Sequence, residues 1–311
     1  MNNLLSYLHR SVLSIPSNRE KMLLKSKELR PDVVMFDLED SVPVEEKDKA
    51  RAALIKFLEQ ERPGAPFISY RINPMDTPFA YRDIIEVMEK VGETIHSIVV
   101  PKVEEAYEIK AVEILISQIE KACGFSDPIY LEPSIETAKG MLHVKEIAFS
   151  SDRIISLVFG IADYSVSLGM FFKGYSGHGE EEEFYPGHRF HFPLSRMAMV
   201  AKARGIMAID APYGNFRDKK GLQRSCLLSR YLGYDGKWAI HPSQIEVINE
   251  VFSPLPEEVN RCKEIARAYY DAKEKGEGSV AVDGRMIDGA TLRLALQLLE
   301  RYKSIEKMRG I

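Results

Sequence analysis

The sequence predicts an α/β chain folded as a TIM (β/α)8 barrel with a C-terminal helical extension. Three observations carry that expectation. Short apolar or β-branched runs alternate with stretches of helical periodicity, which is the signature of a parallel α/β fold. Eight such runs can be counted. Each begins apolar and turns polar only near its C-terminal end, the face on which such a barrel builds its active site. With 311 residues there is room for one barrel, expected over residues 1–252, and an extension over 253–311.

The runs are "SVLSIP" (11–16), "DVVMFDLE" (32–39), "PFISYRIN" (66–73), "SIVVPKV" (97–103), "PIYLEPSIE" (128–136), "IISLVFGIADY" (154–164), "IMAIDAPYG" (206–214) and "KWAIHP" (237–242). Between them lie helical segments such as "REKMLLKSKEL" and "EEKDKARAALIKFLEQ". The second places apolar residues three and four apart, with charges on the opposite face. The polar ends are Asp37, Glu39 and Asp40 for the second strand, then Arg71 with Asn73, Lys102, Glu136, Asp163, Asp210 and His241 for the third to eighth. One charged rim residue is unremarkable. Seven strands of eight ending this way implies one shared mouth.

The second strand raises the sharpest question, because Val33 to Phe36 belong in a core and three carboxylates follow within four positions. A buried carboxylate needs a partner, a metal or a proton. Glu136 and Asp163 close neighbouring strands, about 5 Å apart by strand spacing. Two oxygen ligands with open positions suit magnesium, and the alternative is hydrogen bonding to loop amides. His178, His188 and His191 fall in the long segment after the sixth strand, where His188 and His191 could chelate zinc if helical. With no cysteine nearby and four consecutive glutamates, a solvated loop or lid is the better reading of 174–192.

Composition narrows the function classes. With 42 basic and 46 acidic residues the formal charge is −4, and no basic block suggests nucleic acid. Cys123, Cys226 and Cys262 have no paired spacing, so neither a disulfide framework nor a structural zinc site is expected. No apolar run reaches membrane-spanning length and no secretory leader is recognisable, so the expected location is the cytoplasm.

The stretches "RSVLSIPSNREKMLLK", "FDLEDSVPVEEKDKAR", "YRINPMDTP", "VPKVE", "SIETAKGML", "FGIADYSVSLGM", "AIDAPYGNFRDKKG", "LGYDGKWAIHPSQIEVINEVFSP" and "DGRMIDGATLRLA" together resemble the citrate lyase beta subunit-like family of acyl-CoA lyases. The order is the same along nearly the whole chain. "YPGHRFHFPLSRM" followed by "AIDAPYGNF" most resembles the branch of malyl-CoA, β-methylmalyl-CoA and citramalyl-CoA lyases.

The resemblance implies a barrel whose extension packs on a neighbouring subunit in homotrimers or hexamers. It also implies magnesium, with manganese as a substitute, on Glu136 and Asp163, and Arg71 on the oxo-acid oxygens. Asp288 becomes the acid/base supplied by the adjacent subunit, in a site shielded enough to raise its pKa. From the residues alone, Asp288 before "GATLRLALQLL" reads as a helix N-cap. Asp37, Glu39 and Asp40 move to supporting roles: Glu39 and Asp40 accept from magnesium-bound waters, and Asp37 braces Arg71 or Lys102.

CoA is expected on Lys21 and Lys25, behind Asn18 as N-cap, with Ile240 and His241 lining the same cleft. Ser14 stands where some relatives carry tyrosine. The implied activity is cleavage of a 3-hydroxyacyl-CoA such as malyl-CoA to glyoxylate and acetyl-CoA, or the reverse condensation. The alternatives are a citrate lyase beta subunit acting on a carrier-bound thioester, a malyl-CoA thioesterase, and a non-enzymatic CoA-binding module.

Overall fold

The computed structural model describes residues 8–170 and 189–309. They form two compact units, one of residues 9–250 and one of 251–309 with residue 8. The first is a closed barrel of eight parallel strands in chain order: β1 (Ser11–Pro16), β2 (Val33–Asp37), β3 (Phe67–Arg71), β4 (Ser97–Val100), β5 (Tyr130–Ile135), β6 (Ser156–Phe159), β7 (Met207–Asp210) and β8 (Gly236–Ala239). β8 pairs back onto β1 through Val12 opposite Trp238. All eight predicted runs form strands.

Among the described residues ten α-helices connect or follow them: α1 (Glu20–Lys25), α2 (Lys47–Gln60), α3 (Ala80–Val91), α4 (Ala106–Cys123), α5 (Ala138–Leu142), α6 (Val144–Ala148), α7 (Ile161–Ser167), α8 (His191–Arg204), α9 (Lys219–Tyr231) and α10 (Ile245–Val251). The longest of these, α4, shows why such segments fold as they do. At its start the Glu108 carboxylate accepts the Glu104 and Glu105 backbone N–H groups, at 2.7 and 2.8 Å, and Gly124, at φ 74°, ends it in the left-handed conformation. Its buried residues, Ile109, Val112, Ile116 and Ile119, lie three and four apart, as one helix face requires.

Two sequence expectations need correcting here. The run 154–164 is not one strand: β6 stops at Phe159, Gly160 caps a helix, and Asp163 lies in the first turn of α7. A short apolar run cannot by itself separate a strand from a buried helix start. Asn18 is not the N-cap of α1. That position belongs to Arg19, and the Asn18 amide donates to Glu46.

Alternation along the strands fills the barrel with Val12, Met35, Phe67, Val99, Val158, Ile209 and Trp238. One carboxylate lies among them. Glu132, 2 % exposed, accepts hydrogen bonds from Ser97 Oγ of β4 at 2.6 Å and Ser156 Oγ of β6 at 2.5 Å. Each of its oxygens thereby has a donor inside the core.

The same alternation corrects a third expectation, that Asp210 faces the mouth. Ile209 takes the interior position, so its neighbour Asp210 points to the helical layer. There Lys237 Nζ meets Asp210 Oδ2 at 2.5 Å, with both side chains fully buried. The adjacent Cys226 thiol is pushed up to about 12, chiefly by burial.

The second unit carries α11 (Pro256–Glu274), a hairpin of β9 (Val280–Val282) and β10 (Arg285–Ile287), and α12 (Gly289–Arg309). Asp283 and Gly284 make the turn with φ of 48° and 72°, the conformation an Asp-Gly hairpin turn is chosen for. Among the described residues no helix is long and apolar enough to cross a membrane, and Cys123, Cys226 and Cys262 are free.

Candidate active site

The C-terminal mouth of the barrel is organised around Arg71, the last residue of β3. Its Nε and Nη2 donate to the two oxygens of Asp37, each at 2.7 Å, in a bidentate fork. Register makes this possible, since Asp37 ends β2 directly opposite Arg71. Nη1 reaches Glu39 Oε2 at 2.8 Å, and the guanidinium lies over the Trp238 ring, 5.4 Å from its centroid. Asp37 therefore braces Arg71, not Lys102.

Burial pushes the Asp37 carboxyl up, but Arg71 and the donors of Ser41 and Glu39 outweigh it and bring it down to about 2. Burial also works against the Arg71 charge. The carboxylates of Asp37, Glu39 and Glu136 more than offset that, and its pKa is raised above the ordinary value.

The acidic turn after β2 is held from below and above. Lys47, buried, donates to the carbonyls of Leu38 and Glu39 at 2.8 and 2.7 Å. Lys102 Nζ donates to Glu39 Oε1 at 2.6 Å and Asp40 Oδ1 at 3.2 Å. Both Glu39 oxygens are thus engaged within the protein, whereas Asp40, 55 % exposed, is the carboxylate of this turn that faces solvent.

Glu136 follows β5 and is buried. Its Oε1 accepts the Lys102 backbone N–H at 3.2 Å. Burial pushes its carboxyl up to about 7; Arg71 pulls it down, while Glu39 and Asp163 add to the rise. Asp163 approaches from α7, 3.8 Å from Lys102 Nζ and 38 % exposed. Gly160 makes room for this arrangement: a Cβ there would sit 2.3 Å from Glu136 Cγ. No side chain larger than hydrogen fits.

Glu136 and Asp163 are the residues that could hold a small hard cation. The donors are oxygen only, one buried and one open, and the buried one lacks a countercharge of its own, since Arg71 is forked onto Asp37. Among the described residues no three His, Cys, Asp or Glu side chains converge as a complete metal cage. A cation held by two carboxylates that completes its shell with water and substrate fits this set.

Lys21, Lys25, Ile240 and His241 belong to the barrel unit and Asp288 to the second unit. Lys21 and Lys25 are exposed on α1. His241 stacks on Phe216 with centroids 4.7 Å apart, and its Nδ1 accepts from Ser243 N at 3.2 Å. Ile240 is 44 % exposed beside it. In the second unit Asp288 Oδ1 accepts from the Ala290 and Thr291 amides at 3.0 and 2.9 Å and from Thr291 Oγ1. It is the helix cap that its sequence context suggested, and those amide donors lower its pKa. His178 and His188 lie outside the described residues, as does most of the 174–192 segment, and His191 opens α8.

Sequence reasoning placed Lys102 at the mouth without its contacts, and passed over Lys47 and Gly160 as site residues. A lysine at a strand end with left-handed backbone has no sequence signal, and Gly160 read as part of an uninterrupted strand.

A model of the HpcH/HpaI aldolase/citrate lyase family matches residues 10–242. The chain is 38 % identical over 309 residues to the L-malyl-CoA/beta-methylmalyl-CoA lyase of Rhodobacter capsulatus, covering 97 % of this chain and 96 % of that one. It is 33 % identical over 298 residues to the citrate lyase subunit beta of Haemophilus influenzae, with coverage of 96 and 98 %. Among solved structures, CitE of Mycobacterium tuberculosis, in complex with magnesium, acetoacetate and coenzyme A, superposes with a TM-score of 0.75 at 25 % identity. That match covers 96 % of this chain and 99 % of that one. This chain belongs to the HpcH/HpaI aldolase/citrate lyase family of carbon–carbon lyases.

Proposed function

We propose that this protein cleaves, and in reverse forms, a 3-hydroxyacyl-CoA such as malyl-CoA, releasing glyoxylate and acetyl-CoA, with magnesium on Glu136 and Asp163. The observation that carries the reading is the buried Glu136 carboxylate flanked by Asp163 at the barrel mouth, in a chain of which 97 % aligns with a malyl-CoA lyase relative. The related CitE structure, in complex with magnesium, acetoacetate and coenzyme A, supports the same ligand classes here. Bound magnesium supplies Lewis acidity to the hydroxyl and carboxylate oxygens of the acid half.

The protein's own groups do the rest. Arg71, fixed by its fork on Asp37, offers its remaining N–H groups to the oxygen on which charge grows as the carbon–carbon bond breaks. In cleavage the hydroxyl proton passes to the ionised Asp288 carboxylate, the bond electrons pass to the acyl-CoA enolate, and its carbon takes that proton back from Asp288. Asp288 is assigned that last transfer, delivered from a neighbouring subunit of a homotrimer or hexamer. Held ionised by its amide donors, it is in the form needed to remove the methyl proton in condensation. Lys21 and Lys25 are assigned to CoA phosphates, and Ile240 and His241 to the wall of the same cleft.

The test is an assay of the purified protein with malyl-CoA, β-methylmalyl-CoA and citramalyl-CoA, with and without magnesium. Glyoxylate from malyl-CoA is the expected product. Malate instead identifies a thioesterase. The 33 % identity to a citrate lyase beta subunit favours a second reading, a carrier-bound citryl substrate, which turnover only of a carrier thioester would establish.

A further inference from the structure

One residue touches every carboxylate of the mouth that is not forked onto Arg71. Lys102 donates its backbone N–H to Glu136 Oε1 at 3.2 Å. Its ammonium meets Glu39 Oε1 at 2.6 Å, Asp40 Oδ1 at 3.2 Å and Asp163 Oδ1 at 3.8 Å. To do both, the backbone turns left-handed at φ 52°. For a non-glycine residue that conformation is costly and persists only where its surroundings over-determine it. Unlike Asp283, the other such residue among those described, Lys102 is not in a two-residue hairpin turn. The geometry it gains is the simultaneous reach to β2, β5 and α7.

A fixed positive charge among the carboxylates that would attract a divalent ion does two things at once. It spaces the acidic groups against their mutual repulsion. It also repels an incoming cation and shares that cation's ligands, and between close charges in a partly buried site this repulsion is substantial.

We propose that Lys102 is a positioning residue that sets the strength of the metal site from within, its ammonium sharing Asp163 and the acidic turn with the bound cation and so keeping that cation exchangeable. The proposal rests on the magnesium reading above. Lys102 thereby acts on the ion through Glu136 and Asp163 and not as a ligand or a proton donor.

The test measures magnesium affinity by titration calorimetry on substrate-free protein, with manganese paramagnetic resonance as a second readout. Lys102→Met removes the charge but keeps the backbone N–H and its φ. It is expected to bind magnesium about tenfold more tightly than wild type, while Lys102→Arg stays within about threefold. A merely structural lysine predicts the opposite, since its loss would loosen the carboxylates and weaken binding. Unchanged or weaker affinity in Lys102→Met therefore overturns the proposal. Lys102→Gln, of similar length and neutral, gives the same reading if the methionine variant folds poorly. Failure of wild type to bind magnesium, or retention of its affinity in Glu136→Gln, would overturn the metal reading itself.

Discussion

Replacing Asp37 by asparagine isolates the electrostatics that hold the mouth together. At neutral pH the variant leaves the buried Arg71 guanidinium without its bidentate partner, with Glu39 as the near countercharge. Breaking a buried pair from one side costs about 3–5 kcal/mol. Part of that cost must depend on pH. The Asp37 carboxyl falls from 3.8 to about 2 on folding, a difference worth about 2.5 kcal/mol. Because the folded pKa is depressed, this stability is present above the unfolded pKa and is lost as pH falls toward 2. By pH 3 about half of it has gone. Urea unfolding of wild type and Asp37→Asn between pH 6 and pH 3 should therefore show a stability gap that narrows by about 1 kcal/mol. A gap that stays constant across that range would refute the assignment of the Asp37 charge as the source of the stabilisation.

Other outcomes follow from single contacts. Gly160→Ala should drive its new Cβ into Glu136 and cut magnesium-dependent turnover at least about tenfold through overpacking, while unaltered kinetics would show that Glu136 has room to move. Lys237→Met strands Asp210 in the helical layer and should lower stability by about 3–5 kcal/mol, read from urea midpoints; a loss under 1 kcal/mol would mean the pair contributes little. Mixing inactive Asp288→Asn and Glu136→Ala chains should recover part of the activity if each site draws on two subunits, and verified mixed oligomers without recovery would exclude a shared site.

Much of the barrel was legible because strand runs and helix faces carry periodicity, and α4 shows how caps complete the signal. What periodicity cannot report is which way a residue faces at the end of a run. Asp210 looked like a sixth acid at the mouth and lies behind the sheet, opposite Lys237. Asp163 was placed on a strand and stands on a helix, since Gly160 breaks the run between them. The pairing of Arg71 with Asp37 was legible as one of two options, and register decided it. Lys102 was expected at the mouth, but its contacts there depend on a backbone angle, which sequence spacing does not encode.

The carboxylate inside the barrel has a further consequence. Glu132 draws one hydroxyl from the strand before it and one from the strand after, so three strands share a single polar latch. Sliding β5 by one residue would turn Glu132 out of the interior and leave two buried serines without their acceptor. Apolar packing alone tolerates such slips more readily than this latch does. Four residues further along the same chain stands Glu136, on the same side of the strand. The latch deep in the barrel therefore gauges the height at which Glu136 enters the mouth, and places that carboxylate from the far end of its own strand.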